Sequence, residues 1–532
     1  MTPLDWTVIV AYLGAMVALS AFIGTRQRSQ EDYYVGGRTI PWWAIGISTM
    51  ATQTSANSFL GIPAFVALSP GGGLTWLQYE MAVPLAMLVA MATLSPTFRR
   101  LELISIYEYL ERRFDRPTRL VMAGVFLLSR GLATGIGIYA AALVVQVCIG
   151  SPLWFCILLV GGITVVYDTI GGMTAVVYSD VVQLVILLLG IILCIALASS
   201  MSMDWTEMLR AHAPERLDAL DMGHGLGDRA RTPFWGFLVG GFVLYISYYG
   251  VDQSQAQRQL SAPTLREAKR SLVFNGFARF PLTLLYLVLG LAIGAVYHRD
   301  PDLRAAVPAE HLDYLVPAFV QRFVPSGLRG LLFAGIFAAA MSSLDSALNS
   351  LSATTMRDFV EPRIAPHRRL VASRITTVLW GAIITAFAFW VGNISSTVVE
   401  GINKLGAFFY GPLLAAFLAG ILDRRARGPA VLVGVLLGVL TNALLFILFP
   451  DTVHWMWWNC AGLATAMVTT FLGSRAMAAP LPASLQGTTL TWAQIRKDEG
   501  PFRATHLALI AYFLGIVVIA AFLGPLLRFF AA

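Results

Sequence analysis

Charge is what this sequence has least of. Asp, Glu, Lys and Arg make up 13% of its 532 residues, about half the share of an ordinary soluble domain. Hydrophobic residues make up 57%. Such a chain cannot cover its surface with polar groups in water, so a lipid bilayer is its natural solvent. Cysteine is scarce too. Cys148, Cys156, Cys194 and Cys460 all lie in apolar stretches and read as buried free thiols, which excludes a disulfide framework. The seven histidines are scattered, mostly in loops, without the spacing of a metal site. There is no heptad repeat, no low-complexity tract and no soluble catalytic domain. Gly71-Gly72-Gly73 after Pro70 is a turn rather than a phosphate loop, because no P-loop lysine follows. The first apolar run, Trp6 to Gly24, lacks the basic start of a cleavable leader and reads as a retained span.

What is present is long apolar runs. A spanning helix needs about 20 such residues. Fourteen candidate spans are predicted near 5–25, 42–68, 74–96, 118–149, 152–170, 174–199, 232–256, 270–298, 328–355, 368–393, 396–422, 428–449, 455–474 and 505–529. The net charge of +7 points to topology rather than to nucleic acid, because the cations gather in short loops. Arg99, Arg100, Arg112, Arg113 and Arg116 share one loop; Arg258, Arg266, Lys269 and Arg270 a second; Arg363, Arg368 and Arg369 a third; Arg424, Arg425 and Arg427 a fourth. With fourteen spans all four fall on one side, which the positive-inside rule makes cytoplasmic. Both termini are then extracytoplasmic. Loops 200–231 and 299–327 are expected to hold short surface helices, and 475–504 to be polar and mobile.

Two spans are polar in the middle. The second carries Ser48, Thr49, Thr52, Gln53, Thr54, Ser55, Asn57 and Ser58. The seventh ends in Tyr248, Tyr249, Gly250, Asp252, Gln253 and Gln255. Lipid would not tolerate either, so each is expected to unwind beside a cavity or an ion path. Paired interruptions of this kind mark inverted-repeat transporters. The expected organisation is an extra helix and loop at 1–41, repeats at 42–199 and 232–422 with an outer loop 200–231 between them, and three added helices at 423–532.

The stretch Ala338 to Ser346 places Ala339, Ser342, Ser343 and Ser346 on one helix face, with Asp345 beside them. A face of hydroxyls and a carbonyl suits a hard cation. The same face would also suit helix–helix packing, and an intramembrane aspartate is what favours the ion path.

Five stretches carry a resemblance: Tyr33 to Arg38, Ser105 to Phe114, Gly171 to Asp180, Asp252 to Arg258, and the serine stretch. In that order and spacing they resemble the sodium/solute symporter family. The resemblance implies an all-α polytopic protein with a LeuT-type 5+5 inverted repeat and broken first and sixth core helices. It implies a sodium ion held by the carbonyls of Ala51, Thr54 and Ala339 and the hydroxyls of Ser342 and Ser343. Some members hold a second sodium near a helix-five aspartate, here Asp180, with two more hydroxyls. Ser346 matches one; where those members have serine this chain has Asp345. A second sodium, a shared proton and pairing with a cation all stay open there.

For the solute, family position implies Gln53, Ser55, Asn57, Ser58, Gln78, Glu80, Tyr245, Tyr248, Arg279 and Lys404. Tyr248 falls where sugar-transporting members place a gating tyrosine. Arg130 lies about one turn from the arginine that sialic-acid transporters use for a carboxylate. Thr134 to Tyr139 resembles the monocarboxylate- and iodide-transporting branch. Arg130, Arg279 and Lys404 against Glu80 is an excess of cations that an anionic solute would balance. The expected function is therefore sodium-coupled symport of a small organic solute, leaning to a carboxylate, in a bacterial inner membrane. The alternatives are a sugar or polyol symporter, a transporter-like sensor and a membrane enzyme. The partners are the solute and the bilayer, with no nucleic acid and no required protein.

Overall fold

In hydrocarbon every backbone N–H and C=O must be satisfied within its own segment, which leaves helices as the economical solution for a chain this apolar. A computed structural model gives the architecture. It describes the whole chain except residues 55, 202–203, 224, 228–232, 310, 392–397, 478–486 and 532. For 56, 57, 144, 148, 338 and 398–403 it describes the backbone alone. Among the described residues there is no strand.

The long elements, in chain order, are α1 (Pro3–Gly24), α2 (Trp42–Gln53) and α3 (Ala56–Ala67). Next come α4 (Leu74–Arg100), α5 (Arg116–Ile149) and α6 (Leu153–Ser200). The second half holds α7 (Gly241–Val251), α8 (Gln253–Leu260), α9 (Leu265–Arg299), α10 (Leu328–Thr355), α11 (Arg369–Val391) and α12 (Val398–Leu422). Then follow α13 (Gly428–Leu448), α14 (Met456–Ala476) and α15 (Arg503–Ala531).

Ten helices among the described residues are long and apolar enough to cross a membrane. The difference from the fourteen expected spans has local causes. The segments 42–68 and 232–256 are each split into two short helices. Segments 152–170 and 174–199 form the single α6, bent where Gly172 takes φ +54°. A side chain there would be strained, and its Cβ would meet the Tyr33 carbonyl at 2.6 Å, so the bend needs glycine. Helix α14 carries Asn459, Thr465, Thr469, Thr470 and Arg475 and falls short in hydropathy.

Helix α10 lies along α6, and α1 packs on both. Helix α9 runs beside α2 and α3, and α14 packs between α12 and α13. The Gly131 and Gly135 spacing is a packing surface: a Cβ on Gly131 would meet Trp380 at 3.2 Å, and one on Gly135 would meet Phe387 at 2.4 Å. Asp5 caps α1 and ties it to α10. Its carboxylate accepts from the Gly327 and Gly330 amides at 2.8 and 3.1 Å and from Arg329 at 2.8 Å.

Two expectations about loops change. Part of 475–504 is ordered: Trp492–Glu499 is helical and opens with a capping box between Thr491 and Gln494. Several cations counted as loop charges are interior groups. Arg258 has no exposed surface, Lys269 is buried against Glu499, and Arg113 is buried with its guanidinium on the Gly420 and Asp423 carbonyls. The described cysteines, Cys156, Cys194 and Cys460, are free.

Candidate functional site

The first break follows from α2 ending in polar residues. Its last turn closes on Thr54, whose amide donates to the Met50 and Ala51 carbonyls and whose backbone then leaves the helix at φ −95°, ψ 68°. The second break is made by one residue. Asp252 sits at φ −80°, ψ 119° between α7 and α8, and its carboxylate caps α8 through the Ser254 amide at 2.8 Å. A side-chain cap of this sort supplies the acceptor that an interrupted helix needs in a dry interior.

The serine face of α10 meets the first break. Ser342 Oγ stands 3.4 Å from the Ala51 carbonyl and 3.1 Å from the Ala339 carbonyl. Ser343 Oγ donates to the next carbonyl along, Thr52 O, at 2.8 Å. Oxygens sharing a hard cation at about 2.4 Å in near-octahedral array stand about 3.4 Å apart. The Ser342 hydroxyl thus stands at about that spacing from the Ala51 and Ala339 carbonyls, 3.4 and 3.1 Å. The Thr54 hydroxyl, as distinct from its carbonyl, accepts from Arg279 Nη1 at 3.2 Å.

The place expected for a second ion is taken up by a cation of the chain itself. Arg258, on α8, reaches across to Asp180 Oδ2 at 3.0 Å and also meets the Ser346 hydroxyl. Its Nε donates to Ser48 Oγ at 2.7 Å and its Nη1 to the Ser254 carbonyl at 2.5 Å. Ser48 Oγ in turn donates to Asp180 at 2.6 Å. Asp345 borders the same cluster: Tyr167 donates to one of its oxygens, and the other accepts from the Ser346 amide at 2.6 Å and stands 3.3 Å from the Ser346 hydroxyl. A guanidinium with no exposed surface is held only by such full pairing. Arg258 was legible in the sequence as the end of a signature stretch, yet it looked like one more loop cation.

The solute candidates separate into three groups. Glu80 and Arg279 form a buried fork, with contacts of 2.5 and 3.2 Å, and Tyr245 donates to Glu80 at 3.0 Å. Gln53 accepts from the Tyr249 hydroxyl at 2.6 Å, and Ser58 reaches the Gln53 carbonyl at 3.5 Å. Tyr249 is a member of this group that position alone did not single out. Arg130 faces Asp252 at 3.4 Å, with Tyr248 and Tyr410 beside it. Gln255 donates to the Tyr248 hydroxyl at 2.9 Å.

Gln78 belongs to none of the three. It bonds the Thr75 carbonyl and accepts from the Asp221 amide at 3.0 Å, so it ties α4 to the loop before α7. Lys404 lies half-buried on α12. Ser55 and the side chain of Asn57 lie outside the described residues. A cavity of 720 Å³ lined by Trp42, Phe274, Phe277 and Phe502 holds none of these groups.

Known proteins resemble this chain in sequence and in fold. The sodium:solute symporter family profile matches residues 33–438. The sodium/sialic acid symporter NanT of Aliivibrio fischeri is 27% identical over 477 residues, spanning 88% of this chain and 92% of that protein. Human sodium-coupled monocarboxylate transporter 1 is 30% identical over 447 residues, 82% of this chain and 72% of its own. A solved Na+-coupled sialic acid symporter in a substrate-bound, outward-open state aligns with a TM-score of 0.81 at 24% identity, covering 91% of this chain and all of that one. That likeness shows the fold. The chain belongs to the sodium:solute symporter family. It is a multi-pass membrane transporter of LeuT type that couples a small solute to sodium, and not an enzyme.

Proposed function

We propose that this sodium:solute symporter carries a small organic anion, a carboxylate, together with sodium. The observation that carries the reading is the unequal state of two arginines. Arg279 is closed by the Glu80 fork and Thr54. Arg130 has one ionic contact at 3.4 Å and a buried Nε with no partner. A planar guanidinium with an unused donor in a part-buried site suits a carboxylate. Relatives named for sialic acid and for monocarboxylates support the same class.

The charge argument changes in form. Asp252 adds a second anion, so the two ion pairs Arg130–Asp252 and Arg279–Glu80 balance among themselves without a solute, with Lys404 outside that count. A carboxylate then enters with sodium as a neutral pair. We place that sodium on the oxygens of Ala51, Thr54, Ala339, Ser342 and Ser343. Bound there, it links the first break to α10 and favours the state in which the solute groups are in order. An ion shifts such an equilibrium only through its different affinity for the two states. The exposed cations Arg266 and Arg270, with the other basic loops, support a bacterial inner-membrane orientation with both termini outside.

The test is thermal unfolding of purified protein across carboxylates, sugars and amino acids, with sodium or with choline. Stabilisation by carboxylates only in sodium is the expected result. Stabilisation by neutral solutes and by no carboxylate would overturn the anion reading.

A further inference from the structure

Asp252 divides its two carboxylate oxygens between unlike tasks. Oδ1 serves the helix: it accepts from the Ser254 amide at 2.8 Å and the Ser254 hydroxyl at 2.6 Å. Oδ2 faces Arg130 Nη1 at 3.4 Å. Charge-assisted contacts of this type ordinarily close to about 2.7–2.9 Å. The Glu80–Arg279 fork shows what a committed pair in the same protein looks like, with two contacts and the shorter at 2.5 Å. The Arg130–Asp252 pair is longer, single and part-buried, and Arg130, with the Tyr248 hydroxyl beside it, keeps a buried Nε without a partner.

We propose that Asp252 is a resident carboxylate that competes with the solute for Arg130 and so sets the affinity for organic anions. This rests on the carboxylate reading given above. A solute carboxylate presents two oxygens to the Arg130 fork, where Asp252 presents one. It can therefore displace Oδ2 while Oδ1 goes on capping α8. The break between α7 and α8 keeps its geometry during the exchange, and the displaced charge stays within reach of the site. Asp252 is a specificity-determining residue that acts through Arg130. A neutral solute gains nothing from displacing it, so the pair also selects against sugars and polyols of the same size.

The experiment uses the full chain in proteoliposomes with an inward sodium gradient, and radiolabelled propionate, lactate and pyruvate as probes. Asp252→Asn retains a capping oxygen and removes the competing charge. Its KM for the transported carboxylate is expected to fall on the order of tenfold, with the maximal rate changing less. Arg130→Gln is expected to raise that KM at least about tenfold. In the double variant the gain from Asp252→Asn is expected to vanish, because the two residues act as one unit. An unchanged or raised KM in Asp252→Asn overturns the proposal, and so does a gain that survives in Arg130→Gln. Asp252→Ser, also a capping residue, serves as the second variant. If both Asp252 variants lose sodium-induced thermal stabilisation, the residue holds the break rather than the solute balance, and the proposal falls. If wild-type protein transports none of the carboxylates but takes up neutral solutes, it is the carboxylate reading that fails.

Discussion

The guanidinium of Arg258 lies between the Asp180 carboxylate and the Ser346 hydroxyl, joining helix α8 to α6 and α10 with none of its surface exposed. It stands where a second coupling cation was open to question, and it is a cation that cannot leave the protein. A monovalent ion beside it would meet like charge in a low-dielectric interior, and the two buried carboxylates there are already engaged, Asp180 by Arg258 and Asp345 by Tyr167 and the Ser346 amide.

Sodium activation of transport is therefore expected to be hyperbolic, with a Hill coefficient near one. Arg258→Gln removes the resident charge but leaves Asp180 buried without its cation, a loss of roughly 3–5 kcal/mol for a broken buried pair. Sodium titrations of uptake check the first outcome, and unfolding temperatures of the purified variant check the second. A Hill coefficient near two in wild-type protein would show that a second sodium shares the place.

Ser342 and Ser343 test the first sodium position. Alanine at Ser342 removes the hydroxyl that meets the Ala51 and Ala339 carbonyls at 3.4 and 3.1 Å. The sodium concentration for half-maximal uptake is expected to rise at least about tenfold, the loss of one ion ligand being worth about 1.4 kcal/mol or more. Ser343→Ala is expected to act in the same direction. Uptake in Ser343→Ala with unchanged sodium dependence would show that the ion sits elsewhere.

Glu80 and Arg279 are expected to behave as a structural pair that also shapes the solute site. Glu80→Gln strands Arg279, which is almost fully buried, and should cost about 3–5 kcal/mol. Pairing it with Arg279→Gln should recover a large part of that. The check is a double-variant cycle on thermal unfolding, where independent, additive losses would argue against the pairing.

His212 provides a pH dependence outside the spans. Burial is the largest influence on it and pushes its pKa down to about 4, opposed by its bond to the Leu291 carbonyl. The Nε2–H donates to that carbonyl at 2.8 Å while Nδ1 is buried without a partner, and burial holds the folded ring neutral above about pH 4. The unfolded chain takes up a proton below about pH 6.5, which the folded chain refuses until about pH 4. Stability is expected to fall as pH drops through that window, by about 1 kcal/mol per pH unit. His212→Gln should flatten the loss, as read by unfolding temperatures between pH 7.5 and 4.5.

The family signatures turn out to have a common job that their sequence did not announce. From the stretch Ser105 to Phe114, Glu108 pairs with Arg357 at 2.9 Å, and Ser105 donates to Asp358 at 2.8 Å. From the stretch Asp252 to Arg258, Gln253 bonds the backbone of Ile104 and Ile106, and Gln257 bonds the Tyr34 carbonyl at 2.6 Å. From the stretch Tyr33 to Arg38, Arg38 bonds the carbonyls of Leu260, Glu102 and Leu103. These contacts join segments up to about 250 residues apart, so the stretches hold distant parts of the fold together as well as lining its sites.

The sequence by itself determined the properties that depend on neighbours along the chain. Apolar runs meant membrane helices, polar residues inside two of them meant breaks, and serines three and four apart meant one oxygen-rich face. Those inferences rest on hydropathy and helical period, which are local. The tertiary structure decided which charges face each other. Arg258 and Lys269 read as loop cations because their partners, Asp180 and Glu499, lie 78 and 230 residues away. Asp252 read as one polar residue among several until α5 brought Arg130 to it. Whether a charge in a membrane protein marks topology, holds helices together or waits for a solute depends on what stands within about 4 Å of it in three dimensions, and only the packed fold sets that distance.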